Sequence, residues 1–253
     1  MVTGGGRGIG RAVVERLLRG RGRGEKVSVV AVERDAAALA WAGDGVVPVV
    51  GDASDEAVVE RAADLAQESG ALAGWVNNAA VFRDASVHTS STAEIRSLIA
   101  ANLDLAVTGC AAAVRRFLAA GTPGAVVNVT SHQARRAVPG SLPYSTAKAA
   151  VEGLTRALAV EYGSRGIRVN AVAPGSVATE RYAEFLAALG PEGAARVEAE
   201  MARLHPLGRV ASAAEIAAAV AYLLSDDAAF VSGVTLPVDG GRSVLGLDPE
   251  MRE

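Results

Sequence analysis

Cysteine is almost absent. The single Cys110 excludes an intrachain disulfide framework and suits a reducing compartment. It lies in an alanine-rich run, where a buried small apolar side chain is a better reading than a nucleophile. Histidine is nearly as sparse. His88, His132 and His205 are widely spaced and form no metal-ligand pattern, so no metal is expected. Positive charge is not in excess: a formal net charge of −3 leaves no basic footprint for nucleic acid. No run reads as a transmembrane helix and no signal peptide precedes the body, so no membrane partner is expected and the chain reads as cytoplasmic. Aromatic residues make up only 4%, yet half the chain is hydrophobic. Alanine, glycine and valine carry that apolar content, which suits helices packed closely on a sheet.

What is present is alternation. The 253 residues suffice for one large α/β domain with a sizeable core. Met1-Val2-Thr3 leads directly into Gly4-Gly5-Gly6-Arg7-Gly8-Ile9-Gly10, leaving only Val2 and Thr3 for a first strand. The spacing of Ala12, Val13, Leu17 and Leu18 predicts a helix over 11–19, so the glycine turn opens a helix. Such a turn exposes backbone N–H groups that bind a pyrophosphate. Gly20 to Lys26 reads as a polar, flexible connection. Val27 to Val32 is a β-branched run typical of a buried parallel strand. Further strands are expected at 46–50, 72–76, 125–129, 167–172 and 233–238. Helices are expected at 36–41, 56–69, 92–120, 144–162 and 213–224. Ser54 or Asp55 is the candidate cap for the helix at 56, and Thr92 for the one that follows. Segment 179–203 reads as a helical insertion broken at Gly190-Pro191. Trp41 and Trp75 are assigned to the core. Strand–helix alternation with no linker and no repeat predicts a Rossmann-type doubly wound parallel sheet with helices on both faces.

In such sheets ligands bind beyond the carboxyl ends of the strands. The unusual polar residues cluster there: the glycine turn, Glu33, Asp52, Asn77 and Asn78, Ser131, Pro174 and Gly175. Glu33 lies about 20 residues past the glycines, where an acid hydrogen-bonds the ribose of NAD. Its charge also repels a 2′-phosphate. Arg7 and Arg34 favour NADP instead, by offering bidentate partners to that phosphate. Within Pro143-Tyr144-Ser145-Thr146-Ala147-Lys148, Tyr144 and Lys148 stand one helical turn apart. A neighbouring ammonium favours the phenolate, so Lys148 is expected to lower the Tyr144 pKa toward neutrality. Arg135 and Arg136 read as a solvated loop, and His132 as a residue placed to line the pocket.

With Thr3-Gly4-x-x-x-Gly8-Ile9-Gly10, Asn77-Asn78-Ala79, Ser131, Tyr144-x-x-x-Lys148 and Pro174-Gly175 in this order, the chain resembles the short-chain dehydrogenase/reductase family over its whole length. The thirteen-residue interval from Ser131 to Tyr144 matches the family pattern. The stretch from Tyr222 to Gly241 is similar to members related to 3-oxoacyl carrier-protein reductases. Ala80 departs from the glycine usual after Asn-Asn-Ala.

The resemblance implies an NAD(P)-dependent interconversion of a secondary alcohol and a ketone. Tyr144 is then the acid/base, Ser131 holds the reacting oxygen, and Lys148 assists the tyrosine and binds the nicotinamide ribose. Asn102 anchors a water in a proton relay. The family's cofactor contacts fall on Gly4, Arg7, Gly8, Ile9, Gly10, Glu33, Asp52, Ala53, Asn78, Ala79, Pro174, Gly175, Val177 and Thr179. Within that set Asp52 and Ala53 meet the adenine, and Val177 and Thr179 the carboxamide. The same resemblance implies a single catalytic domain with a substrate lid at 179–203. It also implies a homo-oligomer, a tetramer or a dimer, built on the helices at 102–120 and 144–162. NAD is expected ahead of NADP. A catalytically silent dinucleotide-binding sensor on the same fold is the alternative. An epimerase or dehydratase usually calls for a larger substrate domain than 179–203 provides.

Overall fold

The computed structural model describes residues 1–19 and 27–246. The connection expected at 20–26 lies outside the described residues. In chain order the elements are β1 (Val2–Thr3), α1 (Gly8–Arg19), β2 (Val29–Glu33), β3 (Val46–Val50), α2 (Glu56–Glu68), β4 (Gly74–Asn77), α3 (Thr92–Ala120) and β5 (Gly124–Val129). Then follow α4 (Leu142–Tyr162), β6 (Ile167–Pro174), β7 (Val177–Ala178), α5 (Glu180–Leu204), β8 (Ala211–Ser212), α6 (Ala213–Leu224) and β9 (Thr235–Val238). Seven strands form one parallel sheet in the order β3-β2-β1-β4-β5-β6-β9. Strand order reverses between β1 and β4. The connections leaving those two strands therefore run to opposite faces and open a crevice at their carboxyl ends.

β1 is as short as the sequence implies. Val2 pairs with Ala31 and Val76, and Thr3 with Val32. The Met1 ammonium donates to the Gly74 carbonyl at 2.9 Å, which extends the ladder by one position. Boundaries elsewhere move for local reasons. The α3 cap is Ser91, whose hydroxyl accepts from Glu94 N, so Thr92 is the first helical residue rather than the cap. Asp55, not Ser54, caps α2. The expected helix at 36–41 is a short 3₁₀ turn, Ala36–Leu39.

The sheet is buried on both faces. On one, α2 and α3 cover a core containing Trp75, Phe117, Cys110 and Val126. On the other, Val13 and Val14 of α1 and Ile216 and Leu223 of α6 share a core with Val2, Val76, Val127 and Val172. Trp41 departs from its core assignment. It is half-buried and its indole N–H donates to Gly6 O at 3.0 Å, bracing the glycine turn. α3 also corrects an expectation, because it alone among the described helices is long and apolar enough to span a bilayer, with a mean hydropathy of 1.6. Here one side of it, including Leu105, Ala106, Cys110, Ala113 and Phe117, is spent on the core. At Gly109 a Cβ would stand 1.9 Å from Asn77 Oδ1. Glycine there lets α3 close over a buried polar network. In it Trp75 Nε1 donates to Asn77 Oδ1, Asn77 Nδ2 to Asn128 Oδ1, and Asn128 Nδ2 to Thr155 Oγ1. These bonds tie β4, β5 and α4 into one unit and leave none of the amides unpaired, as burial demands.

Candidate active site

The glycine turn is clamped to the end of β4. Thr3 Oγ1 accepts from the backbone N–H groups of Asn78 and Ala79, and Asn78 Nδ2 donates to Gly4 O at 3.0 Å. At Gly10 a Cβ would sit 1.9 Å from Gly4 O, so only glycine lets α1 start this close to the turn. Gly4, Gly8, Ile9, Gly10, Asn78 and Ala79 therefore meet at the crevice. The Gly8 N–H already donates to a carboxylate, Glu180 Oε2, at 2.9 Å. Thr179, which caps α5, lies against Gly8 as well.

Glu33 closes β2 with its carboxylate folded over the turn, accepting from Gly6 N at 3.3 Å and Arg34 N at 2.8 Å. Arg7 pairs with Asp35, and Arg34 approaches Asp52 at 3.8 Å. Hydrogen bonds from Ser54, then the charge of Arg34, hold the Asp52 carboxyl below its ordinary range. Ala53 is buried in the core.

Ser131 follows β5, buried, and its hydroxyl accepts from Gln133 N. Pro143 in the first turn starts α4 and presents Tyr144 and Lys148 one turn apart. Lys148 is buried, and its Nζ donates to Val129 O at 2.8 Å and lies 5.5 Å from the Tyr144 ring centre. Burial pushes the lysine down to about 8. Burial also pushes the Tyr144 phenol up to about 12, against the pull of a Ser131 hydrogen bond and the Arg181 charge. This reverses the expected direction in the ligand-free chain. The ammonium is aimed at a strand carbonyl rather than at the phenol, so desolvation decides.

Asn102 is buried. Its amide clamps Val81, accepting from Val81 N and donating to Val81 O, each at 2.9 Å. That pins the chain after Asn77-Asn78-Ala79. Pro174 O accepts from His132 Nδ1 at 3.2 Å, joining the ends of β5 and β6. Burial, then the charge of Arg242, pushes His132 down to about 4 and keeps it neutral. Gly175 continues β6 toward β9 through a bond to Val238 O. Val177 pairs with Ala211, and this short ribbon leads to Thr179. Arg135 pairs with the buried Glu152.

Three contributors had no sequence signal. Phe82 stacks on Tyr144 with ring centres 5.0 Å apart, Arg181 lies over Phe82 at 4.0 Å, and Glu180 reaches Gly8 across the chain. A cavity of about 410 Å³ opens at the opposite end of the strands, around Met1, Val29 and Gly74, and holds none of the site residues.

The crevice fits a dinucleotide. Its glycines admit close backbone approach, and an amide already bonded to an anionic oxygen suits a phosphate. A family model described as enoyl-(acyl carrier protein) reductase matches residues 4–243. The chain is 38% identical to levodione reductase of Leifsonia aquatica, over 96% of this chain and 93% of that one. It is 40% identical to cis-4-hydroxycyclohexanecarboxylate dehydrogenase of Sinomonas cyclohexanicum, over 97% of this chain and 96% of that one. Among solved structures, ligand-free aldohexose dehydrogenase of Thermoplasma acidophilum superposes with a TM-score of 0.87 at 28% identity, over 100% of this chain and 95% of that one.

Proposed function

Because the chain belongs to the short-chain dehydrogenase/reductase family, we propose that Tyr144, Ser131 and Lys148 are the groups through which it works. It is an NAD(P)-dependent oxidoreductase that interconverts a secondary alcohol and a ketone. The observation that carries the residue assignment is the meeting of Tyr144, Lys148 and Ser131 at the carboxyl end of β5, beside the clamped glycine turn.

The nicotinamide supplies or accepts the hydride when bound. Everything else falls to side chains. In reduction Tyr144 donates its proton to the carbonyl oxygen as negative charge develops there, and in oxidation it takes the proton back. A phenol held at about 12 is a proton donor at neutral pH. Ser131 donates a second hydrogen bond to that oxygen, where preorganised donors matter most. Lys148, charged below about pH 8, stabilises the phenolate left after proton transfer. Asn102 fixes Val81, next to Phe82, and anchors a water that extends the proton relay from Lys148.

NAD is the proposed cofactor, with NADP the alternative. Glu33 faces the turn where an adenosine ribose would lie, and both arginines that would favour a 2′-phosphate are engaged by Asp35 and Asp52. The remaining assigned contacts, from Gly4 to Thr179, follow the same placement. We take the chain as one catalytic domain with α5 as its lid, acting in the cytoplasm on a small molecule. A homo-oligomer through α3 and α4 accounts for the exposed Val107, Leu118 and Val160. The silent-sensor alternative is not favoured.

The test is Tyr144→Phe, assayed by reduced-nicotinamide absorbance over a panel of ketones and alcohols with each cofactor. Turnover is expected to drop by at least ~100-fold with cofactor affinity retained. Near-wild-type turnover would remove Tyr144 from the chemistry.

A further inference from the structure

We infer that the site takes a substrate carrying a carboxylate, which Arg181 binds from the lid. The inference rests on the reading of Tyr144 as the acid/base. Phe82 contacts both residues, with its ring centre 5.0 Å from that of Tyr144 and 4.0 Å from the Arg181 guanidinium. The guanidinium carbon is thus no more than about 9 Å from the Tyr144 ring centre. Its charge is felt at the phenol.

Stacking on an aromatic face orients the planar guanidinium and leaves its N–H edge for a planar oxyanion. Arg7, Arg34, Arg135 and Arg209 each have a carboxylate partner. Among the described residues no carboxylate pairs with Arg181. Its own neighbour Glu180 is turned to Gly8. A cation at the mouth of a hydride-transfer site, held in place but unneutralised, selects for an acid and against a cationic substrate.

The same lid face suggests the rest of the molecule. Phe185 and Leu189 follow Arg181 at four-residue steps and share its side of α5. Both are unusually exposed for their type, at 49% and 42%. An acid with an apolar body covers both features. A short α-keto acid leaves Phe185 and Leu189 uncovered, so a longer keto acid is favoured.

The probes are 5-oxohexanoate, its methyl ester and pyruvate, reduced with NADH by wild type, Arg181→Lys and Arg181→Gln. Wild type is expected to prefer 5-oxohexanoate over its ester by at least ~10-fold in kcat/KM, the worth of a charge-assisted bidentate pair. Pyruvate should be poor. The acid-to-ester ratio should fall to about one in Arg181→Gln and lie between in Arg181→Lys. An equal rate on acid and ester in wild type, or a ratio that survives in Arg181→Gln, overturns the inference. Loss of NADH affinity in Arg181→Gln with an unchanged ratio assigns the residue to the dinucleotide and overturns it too. If neither ketone turns over, the proposed reaction is in doubt, and calorimetry with 5-oxohexanoate decides separately. Binding that Arg181→Gln abolishes supports the carboxylate site; equal binding, or none, refutes it.

Discussion

Removing the Glu180 carboxylate should tighten dinucleotide binding. Glu180 Oε2 accepts from the Gly8 N–H at 2.9 Å, at the first residue of α1. A pyrophosphate needs that amide and the same helix N-terminus. It must displace the carboxylate, and it meets added repulsion if the lid stays close. A negative group at an exposed helix N-terminus is worth about 0.3–1 kcal/mol. The dissociation constant should therefore fall by roughly 2- to 5-fold in Glu180→Ala. Glu180→Gln keeps an acceptor and drops the charge, so its gain should be smaller. Fluorescence titration with NAD at low and high salt measures both variants, and the difference from wild type should shrink as salt screens the charge. Hydrogen exchange gives an independent reading: amides in the first turn of α5 should exchange faster in cofactor-free Glu180→Ala. An unchanged or weakened affinity in that variant would refute the competition.

Other outcomes can be set beside it. As pH rises through about 8 Lys148 loses its charge, so kcat/KM for ketone reduction should fall above that point; a flat profile over the next two units would exclude the lysine cation from the rate. His132 is held at about 4 in the fold, against the 6.5 of an ordinary imidazole, so the unfolded chain binds more protons between those limits. Stability is therefore full above about 6.5 and is lost as pH falls to about 4; the denaturation midpoint should show this slope, and His132→Asn should flatten it. Gly109→Ala drives a methyl into Asn77 Oδ1 and should cost about 1–3 kcal/mol by urea denaturation, as overpacking does.

The sequence was most readable where local chemistry and pattern agree. α6 runs over Ala213–Leu224 as expected, because Ser212 and Glu215 form a capping box ahead of an apolar run. The residues assigned to the crevice carry local signals for a similar reason: the glycines and amides fall at strand ends, and Tyr144 and Lys148 stand one turn apart on α4. What escaped was set by packing across distance. The Tyr144 pKa is pushed upward because the surrounding chain desolvates its phenol, and no local spacing encodes that. That Asn102 also clamps Val81, 21 residues earlier, has no local signal. Segment 179–203 reads only as a helical insertion, with nothing that singles out Glu180 or Arg181. Their partners, Gly8 and Phe82, lie far away in the chain.

The lone thiol offers a use that needs no engineering. Cys110 sits on the buried face of α3, against the Asn77 and Asn128 amides, and burial pushes its pKa up to about 12. A thiol so sealed and so rarely ionised is closed to alkylating reagents while the helix stays down. Its labelling rate is then set by how often α3 lifts from the sheet. A native mass-spectrometric count of modified chains against time, repeated at rising urea, would report the opening free energy of the layer that holds Ser131 and Tyr144 in register.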